Sequence, residues 1–88
     1  SMQRGVSEGR NILVVEDEPL IAMMLEDFLE TLGHRIHASC DTVTAALGAC
    51  ESGGFDVAIL DVNLKGESVW PVAKRLKEKG VPFVIASG

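Results

Sequence analysis

A chain of 88 residues with a formal charge of −5 makes one small domain, which buries only about 60–65% of the surface its unfolded form exposes. The acid excess leaves no basic stripe to release counterions and so excludes a nucleic-acid binder; an apolar content of 47% without long polar tracts excludes a disordered segment. No apolar run approaches the roughly 18–20 residues of a membrane span and no signal peptide is visible, so the expectation is a soluble cytoplasmic protein with no membrane contact.

Ser1-Met2 reads as an expression scar, residues 1–10 as a flexible leader and residues 11–88 as the domain. Asn11 to Val15 is the first predicted strand, and Glu16, Asp17 and Glu18 follow it at once. Glu18 or Pro19 opens a helix, since Pro is tolerated in a first turn. Leu20, Ile21, Met24, Leu25, Phe28, Leu29 and Leu32 recur at steps of three and four and form its expected inner stripe, with Met23 and Met24 as core filler and Gly33 as its stop. His34 to Ser39 is a weak second strand, with Ile36 and Ala38 alternating with His37 and Ser39. The two histidines have no ligand partners at metal-binding spacing. Asp41 or Thr42 caps a second helix whose stripe is Val43, Ala46, Leu47 and Cys50, ending at Gly53-Gly54. Cys40 and Cys50 form no CxxC and read as reduced core residues.

Asp56 to Leu60 is the third strand. Its apolar run, Val57 to Leu60, reads as buried on both faces. A buried charge is costly unless paired or wet, so Asp61 is expected just past the strand end. Val62 to Glu67 is a loop in which Gly66 permits a positive φ. Ser68 is expected to cap a third helix, with Pro71 in its first turn and Val69, Val72, Ala73 and Leu76 facing inward. Trp70 reads as a flanking residue. Lys74, Arg75, Lys77 and Lys79 on the same helix read as a solvated face. Gly80 ends the helix, and Val81 to Ala86 is a fourth strand with Pro82 near its start.

Strands alternating with helices of about 10–15 residues indicate an α/β fold, a doubly wound parallel sheet with helices on both faces. Ligands of such sheets bind outside the carboxyl ends of the strands, where the order reverses. In the flavodoxin-like order 2-1-3-4 that point lies between strands one and three, which end in Glu16-Asp17 and in Asp61. Three close carboxylates repel one another unless a cation intervenes. All-oxygen donors suit a hard ion such as Mg²⁺, and such a pocket suits phosphoryl chemistry with Asp61 as nucleophile. Ser87, after the fourth strand, offers a hydroxyl donor to a phosphoryl oxygen.

These residues resemble the receiver domain of bacterial two-component response regulators. The matching stretches are Ile12 to Pro19, Asp56 to Leu64 with Gly66, and Val81 to Gly88. The resemblance implies that Asp61 accepts a phosphoryl group from a phosphohistidine of a histidine kinase or histidine phosphotransfer protein. It implies that Asp17, with Glu16 alongside or through water, holds Mg²⁺, and that the backbone carbonyl of Asn63 completes the protein ligands. Ser87 would take the switch hydroxyl position, and a downstream protein would read the switched surface. The Asp61–Gly66 segment and the last residues are also similar to single-domain receivers of alphaproteobacterial stress signalling.

One departure is large. A receiver continues with a last helix-strand-helix portion, including a Lys that pairs with the phosphoaspartate, and that portion is lacking here. Two explanations compete: the chain is the retained part of a longer protein, the favoured reading, or it ends at Gly88 and its fourth strand is a bare apolar edge, which templates pairing with a second copy as a homodimer or swapped dimer. The competing reading is a phosphorylation-independent interaction module with a receiver fold, self-associating through that strand. Other enzyme classes fit less well: a metal-dependent nicking domain wants basic residues for DNA, a haloacid-type phosphatase wants D-x-D after its first strand, and neither a Walker A nor a G-x-G-x-x-G pattern is present.

Overall fold

The computed structural model describes residues 9–86. The elements in chain order are β1 (Asn11–Val15), α1 (Pro19–Thr31), β2 (Arg35–Cys40), α2 (Val43–Ser52), β3 (Val57–Asp61), β4 (Asn63–Leu64), β5 (Glu67–Ser68), α3 (Trp70–Glu78) and β6 (Phe83–Ala86). β2, β1, β3 and β6 form a parallel sheet in that spatial order, while β4 and β5 pair as a separate antiparallel hairpin. The reversal of strand order between β1 and β3 is the one expected, with β6 as the expected fourth strand.

Strand alternation divides the core into two layers. Leu13 and Val15 of β1 and Ala58 and Leu60 of β3 point to one face, where they pack with Val43, Ala46 and Cys50 of α2 and Val72, Ala73 and Leu76 of α3. Ile12 and Val14 point to the other face, where Leu29 of α1 covers them and Leu25, Ile36, Val57 and Ile59 pack at the margin. The first layer carries most of the buried apolar surface. On the second face β3 is only half-buried, because α1 alone covers it, so the expectation of burial on both faces of this strand holds for one face.

The expected inner stripe of α1 is corrected in the same way. Its buried residues are Ala22 and Leu29, whereas Leu20, Ile21, Met23, Met24, Phe28 and Leu32 are exposed, Phe28 at 60%. The two methionines therefore do not fill the core. A helix touching a sheet along one line buries a narrow arc of its surface, and the stripe of α1 is wider than that arc. β2 alternates as expected, half-buried at Ile36 and Ala38 and exposed at His37 and Ser39. A register shift between Ile12 and Leu13 leaves His37 without a partner on β1, as a bulge does.

Thr42 caps α2 by accepting from the Ala45 N–H at 3.0 Å. α3 begins one residue later than a Ser68 cap would place it, with Val69 at the cap position; Ser68 Oγ still accepts from the Trp70 N–H at 3.1 Å. Of the basic cluster, Arg75 and Lys79 do more than face solvent. Arg75 donates to both Glu51 carboxylate oxygens at 2.7 and 3.1 Å and to Glu78 at 3.2 Å, and Lys79 Nζ donates to the Cys50 carbonyl at 2.7 Å. The contacts to Glu51 and Cys50 clamp α3 to the C-terminal end of α2, and the Arg75 bond holds the Glu51 carboxyl below its ordinary range. Both cysteines are buried and free, and burial pushes their thiols up.

The layer asymmetry has a measurable consequence. Leu76→Ala should cost about 2–5 kcal/mol in urea unfolding of this chain, as expected for a fully buried Leu, while Phe28→Ala should cost less than about 1 kcal/mol. Equal losses would show that the outer face of α1 is covered after all.

Candidate functional site

The site is assembled by register. Val15 lies opposite Leu60 in the parallel ladder of β1 and β3, so Glu16 and Asp17 leave β1 beside Asp61. Asp61 is the last residue of β3 and is paired with Ala86 of β6, so it closes the strand instead of following it. Glu16 extends the ladder to β2 through its N–H to the Cys40 carbonyl at 2.9 Å. The three carboxylates are half-buried, and each offers an oxygen within 4.8 Å of the others. Glu16 and Asp17 immediately precede the N-terminus of α1, whose partial positive charge favours anions.

Each of the first two acids also binds a backbone amide. Glu16 Oε2 accepts from the Glu18 N–H at 3.0 Å, which folds the β1–α1 loop back on itself. Asp17 Oδ2 accepts from the Lys65 N–H at 2.7 Å, a bond between loops far apart in sequence. The electrostatic results differ. Burial first, and the negative charge of Asp61 after it, push the Glu16 carboxyl above its ordinary 4.5, against the pull of the Glu18 amide. The Lys65 amide is the main reason that Asp17 stays below its ordinary 3.8. The cluster thus holds one acid that resists ionisation and one that favours it.

Lys65 belongs to a feature absent from the sequence reading. The segment expected as a loop is a hairpin in which Asn63 pairs with Ser68 and Leu64 with Glu67. Its two-residue turn is Lys65-Gly66, with φ of 49° and 83°, the positive pair that a type I′ turn requires. Leu64 is buried in the larger core layer, and the Val69 N–H donates to the Val62 carbonyl at 3.1 Å, so the hairpin is anchored at its base. The signal was present in the Gly after Lys65, but two-residue strands are too short to show alternation. Lys65 Nζ lies 3.8 Å from Asp41, an exposed and weak pair.

The structure brings together Glu16, Asp17 and Asp61 of the expected site. Asn63 is exposed, two residues beyond Asp61 at the start of β4. Ser87 lies outside the described residues, which end at Ala86, the register partner of Asp61.

The donor set fits a small hard cation. Two oxygens opposite each other around Mg²⁺ lie about 4.2 Å apart, given bonds of about 2.1 Å, and the three carboxylate oxygens fall within 4.8 Å. Glu16, Asp17 and Asp61 are therefore the residues that would hold such an ion.

Comparison with known proteins agrees with this geometry. Residues 12–88 match the model of the response regulator receiver domain. The transcriptional regulatory protein TcrA of Mycobacterium tuberculosis is 36% identical over 77 residues, covering 88% of this chain and 30% of TcrA. The solution structure of SdrG from Sphingomonas melonis Fr1 is 56% identical with a TM-score of 0.81, covering 88% of this chain and 66% of SdrG. The solution structure of the BeF3-activated conformation of SdrG from Pseudomonas melonis Fr1 is 57% identical with a TM-score of 0.78, covering 89% of this chain and 67% of that one. The chain therefore spans less than a third of TcrA and about two thirds of SdrG. By fold, by the acids at the β1–β3 strand ends and by these likenesses, the chain belongs to the response regulator receiver domain family of two-component signalling.

Proposed function

We propose that this chain is a phosphoacceptor receiver that takes a phosphoryl group onto Asp61 in the cytoplasm. The donor is a phosphohistidine on a histidine kinase or a histidine phosphotransfer protein. The observation that carries this reading is the convergence of Glu16, Asp17 and Asp61 at the carboxyl edge of two adjacent strands. A carboxylate oxygen of Asp61 attacks phosphorus, forming an O–P bond as the N–P bond to the donor imidazole breaks. The leaving imidazole nitrogen keeps the electron pair and then takes a proton from water. Such a reaction needs positioning and charge compensation more than covalent catalysis by further side chains.

Asp17 and Glu16 are the side chains that would hold Mg²⁺ with Asp61, the Asn63 backbone carbonyl completing the set. When bound, the ion supplies charge neutralisation for the transferring group. Ser87 would supply the switch hydroxyl, and a downstream protein would read the changed surface around β6. SdrG supports this reading, since a protein 57% identical to this chain has a BeF3-activated conformation.

One observation favours a second reading, a phosphorylation-independent interaction module. Among the described residues β6 is an edge strand with Val84 and Ile85 exposed, and the outer face of α1 is apolar. In this reading the isolated chain self-associates through β6. Sedimentation at tens of micromolar separates the alternatives, because a monomer with a cooperative melt removes the second.

With acetyl phosphate and Mg²⁺, the protein carrying this chain should gain one phosphoryl adduct by intact mass. Asp61→Asn should abolish it, and Asp17→Ala should slow its formation at least tenfold. An adduct that survives Asp61→Asn would overturn the assignment.

The raised Glu16 carboxyl also fixes a pH dependence. Its folded-state affinity for a proton exceeds its unfolded-state affinity, so from about pH 4.5 upward its ionisation progressively destabilises the cation-free fold. Mg²⁺ opposes that penalty and competes with the proton. At ten times its Kd the ion should stabilise the fold by about 1.4 kcal/mol at pH 7, read as a melting-temperature gain of several degrees. The gain should shrink towards pH 4.5, and a gain independent of pH would contradict cation binding at Glu16.

A further inference from the structure

We infer that the backbone N–H of Lys65 is a positioning group for Asp17 that couples cation binding at the acidic cluster to the order of the β4–β5 hairpin. The inference rests on the proposed Mg²⁺ site and deepens it. Three observations meet here. The Lys65 N–H donates to Asp17 Oδ2 at 2.7 Å, joining residues 48 positions apart. That is the short length of a charge-assisted bond. The donor sits at the tip of a hairpin anchored by buried Leu64 and by the Val69–Val62 backbone bond. Lys65 itself has a φ of 49°, the only positive φ at a non-glycine position among the described residues.

A carboxylate bound to an amide through one oxygen has lost most of its rotational freedom and keeps the other oxygen for a second partner. Hydrogen-bonded support of this kind orients metal-ligating carboxylates. Coupling is reciprocal, so an ion that prefers the oriented Asp17 also favours the hairpin conformation that orients it. The hairpin runs directly into α3, where the Trp70 N–H is held by Ser68 Oγ. A change in hairpin order therefore reaches the start of α3. The chain's single Trp, 69% exposed at that point, reports on it.

The strained turn supplies a charge-matched test. Asn tolerates a positive φ, and Asn-Gly is a favoured type I′ pair, whereas Gln shares the handicap of Lys. Lys65→Asn and Lys65→Gln both remove the positive charge and both keep the N–H, so apart from one methylene they differ in turn preference. Titration with Mg²⁺ alone, followed by Trp70 fluorescence, should give a Kd about threefold lower for Lys65→Asn than for Lys65→Gln. Gly66→Val, which places a branched side chain at a φ of 83°, should raise the Kd at least fivefold. Amide exchange by NMR supplies a metal-free readout: Asp17→Ala should speed exchange of the Lys65 N–H at least tenfold while the β1–β3 amides keep their protection. Equal Kd values for the Asn and Gln variants, or unchanged Lys65 exchange in Asp17→Ala, would overturn the inference even where the Asp61 adduct forms normally. Absence of any Mg²⁺ response or Mg²⁺-dependent adduct in the unsubstituted protein would overturn the receiver chemistry and this inference together.

Discussion

The pairing of Val15 with Leu60 across β1 and β3 is the constraint on which the site depends. It places Glu16 beside Asp61 and lets Asp17 turn towards the β4–β5 turn, where the Lys65 N–H binds it. The register is held by apolar side chains with no chemical role. Leu13, Val15, Ala58 and Leu60 fill the larger core layer and are fully buried. A slip of one residue in either strand would turn its two core residues to the opposite face. Three carboxylates held within 4.8 Å oppose that arrangement electrostatically, so burial a few ångströms away stabilises a charge cluster that would otherwise disperse.

The cluster is made tolerable by backbone amides more than by cationic side chains. The Glu18 N–H binds Glu16 and the Lys65 N–H binds Asp17, while the Lys65 ammonium is spent weakly on Asp41. Amides are fixed dipoles that neutralise partly and leave net negative charge in place. A full salt bridge to any of these acids would lower their attraction for a cation. The site is thus ordered yet still electron-rich, a condition that suits the proposed binding of a cation beside Asp61.

Much of this was legible in the sequence because it rests on short-range grammar. Unbroken apolar runs followed by acids at Glu16 and Asp61 marked two strands and one crevice, and the alternation of element types supplied the parallel topology. The apolar stripe of α1 was legible as a periodicity, but its burial was not, since periodicity reports which residues share a helix side and says nothing about how much partner surface meets them. The β4–β5 hairpin escaped because four paired residues carry no readable alternation. The Lys65–Asp17 bond escaped because a backbone donor leaves no trace in residue type. Arg75 and Lys79 read as solvent-facing because their acceptors, Glu51 and the Cys50 carbonyl, lie on another helix.

The two core layers divide the work between rigidity and response. On the α2–α3 side, fully buried aliphatic side chains and the Arg75–Glu51 clamp hold the sheet in one conformation. On the α1 side, a few residues of β1 meet one helix, and β6 presents Val84, the exposed register partner of Ile59. Segments with few buried contacts open at lower free energy than the core does. The acids sit at the sheet edge where these two regimes meet, with Asp61 on an interior strand and its register partner Ala86 on the exposed one. A charge added at Asp61, as the proposed function requires, would fall on an interior strand whose register neighbour among the described residues is far less buried, so its effect would be felt first across the β3–β6 ladder.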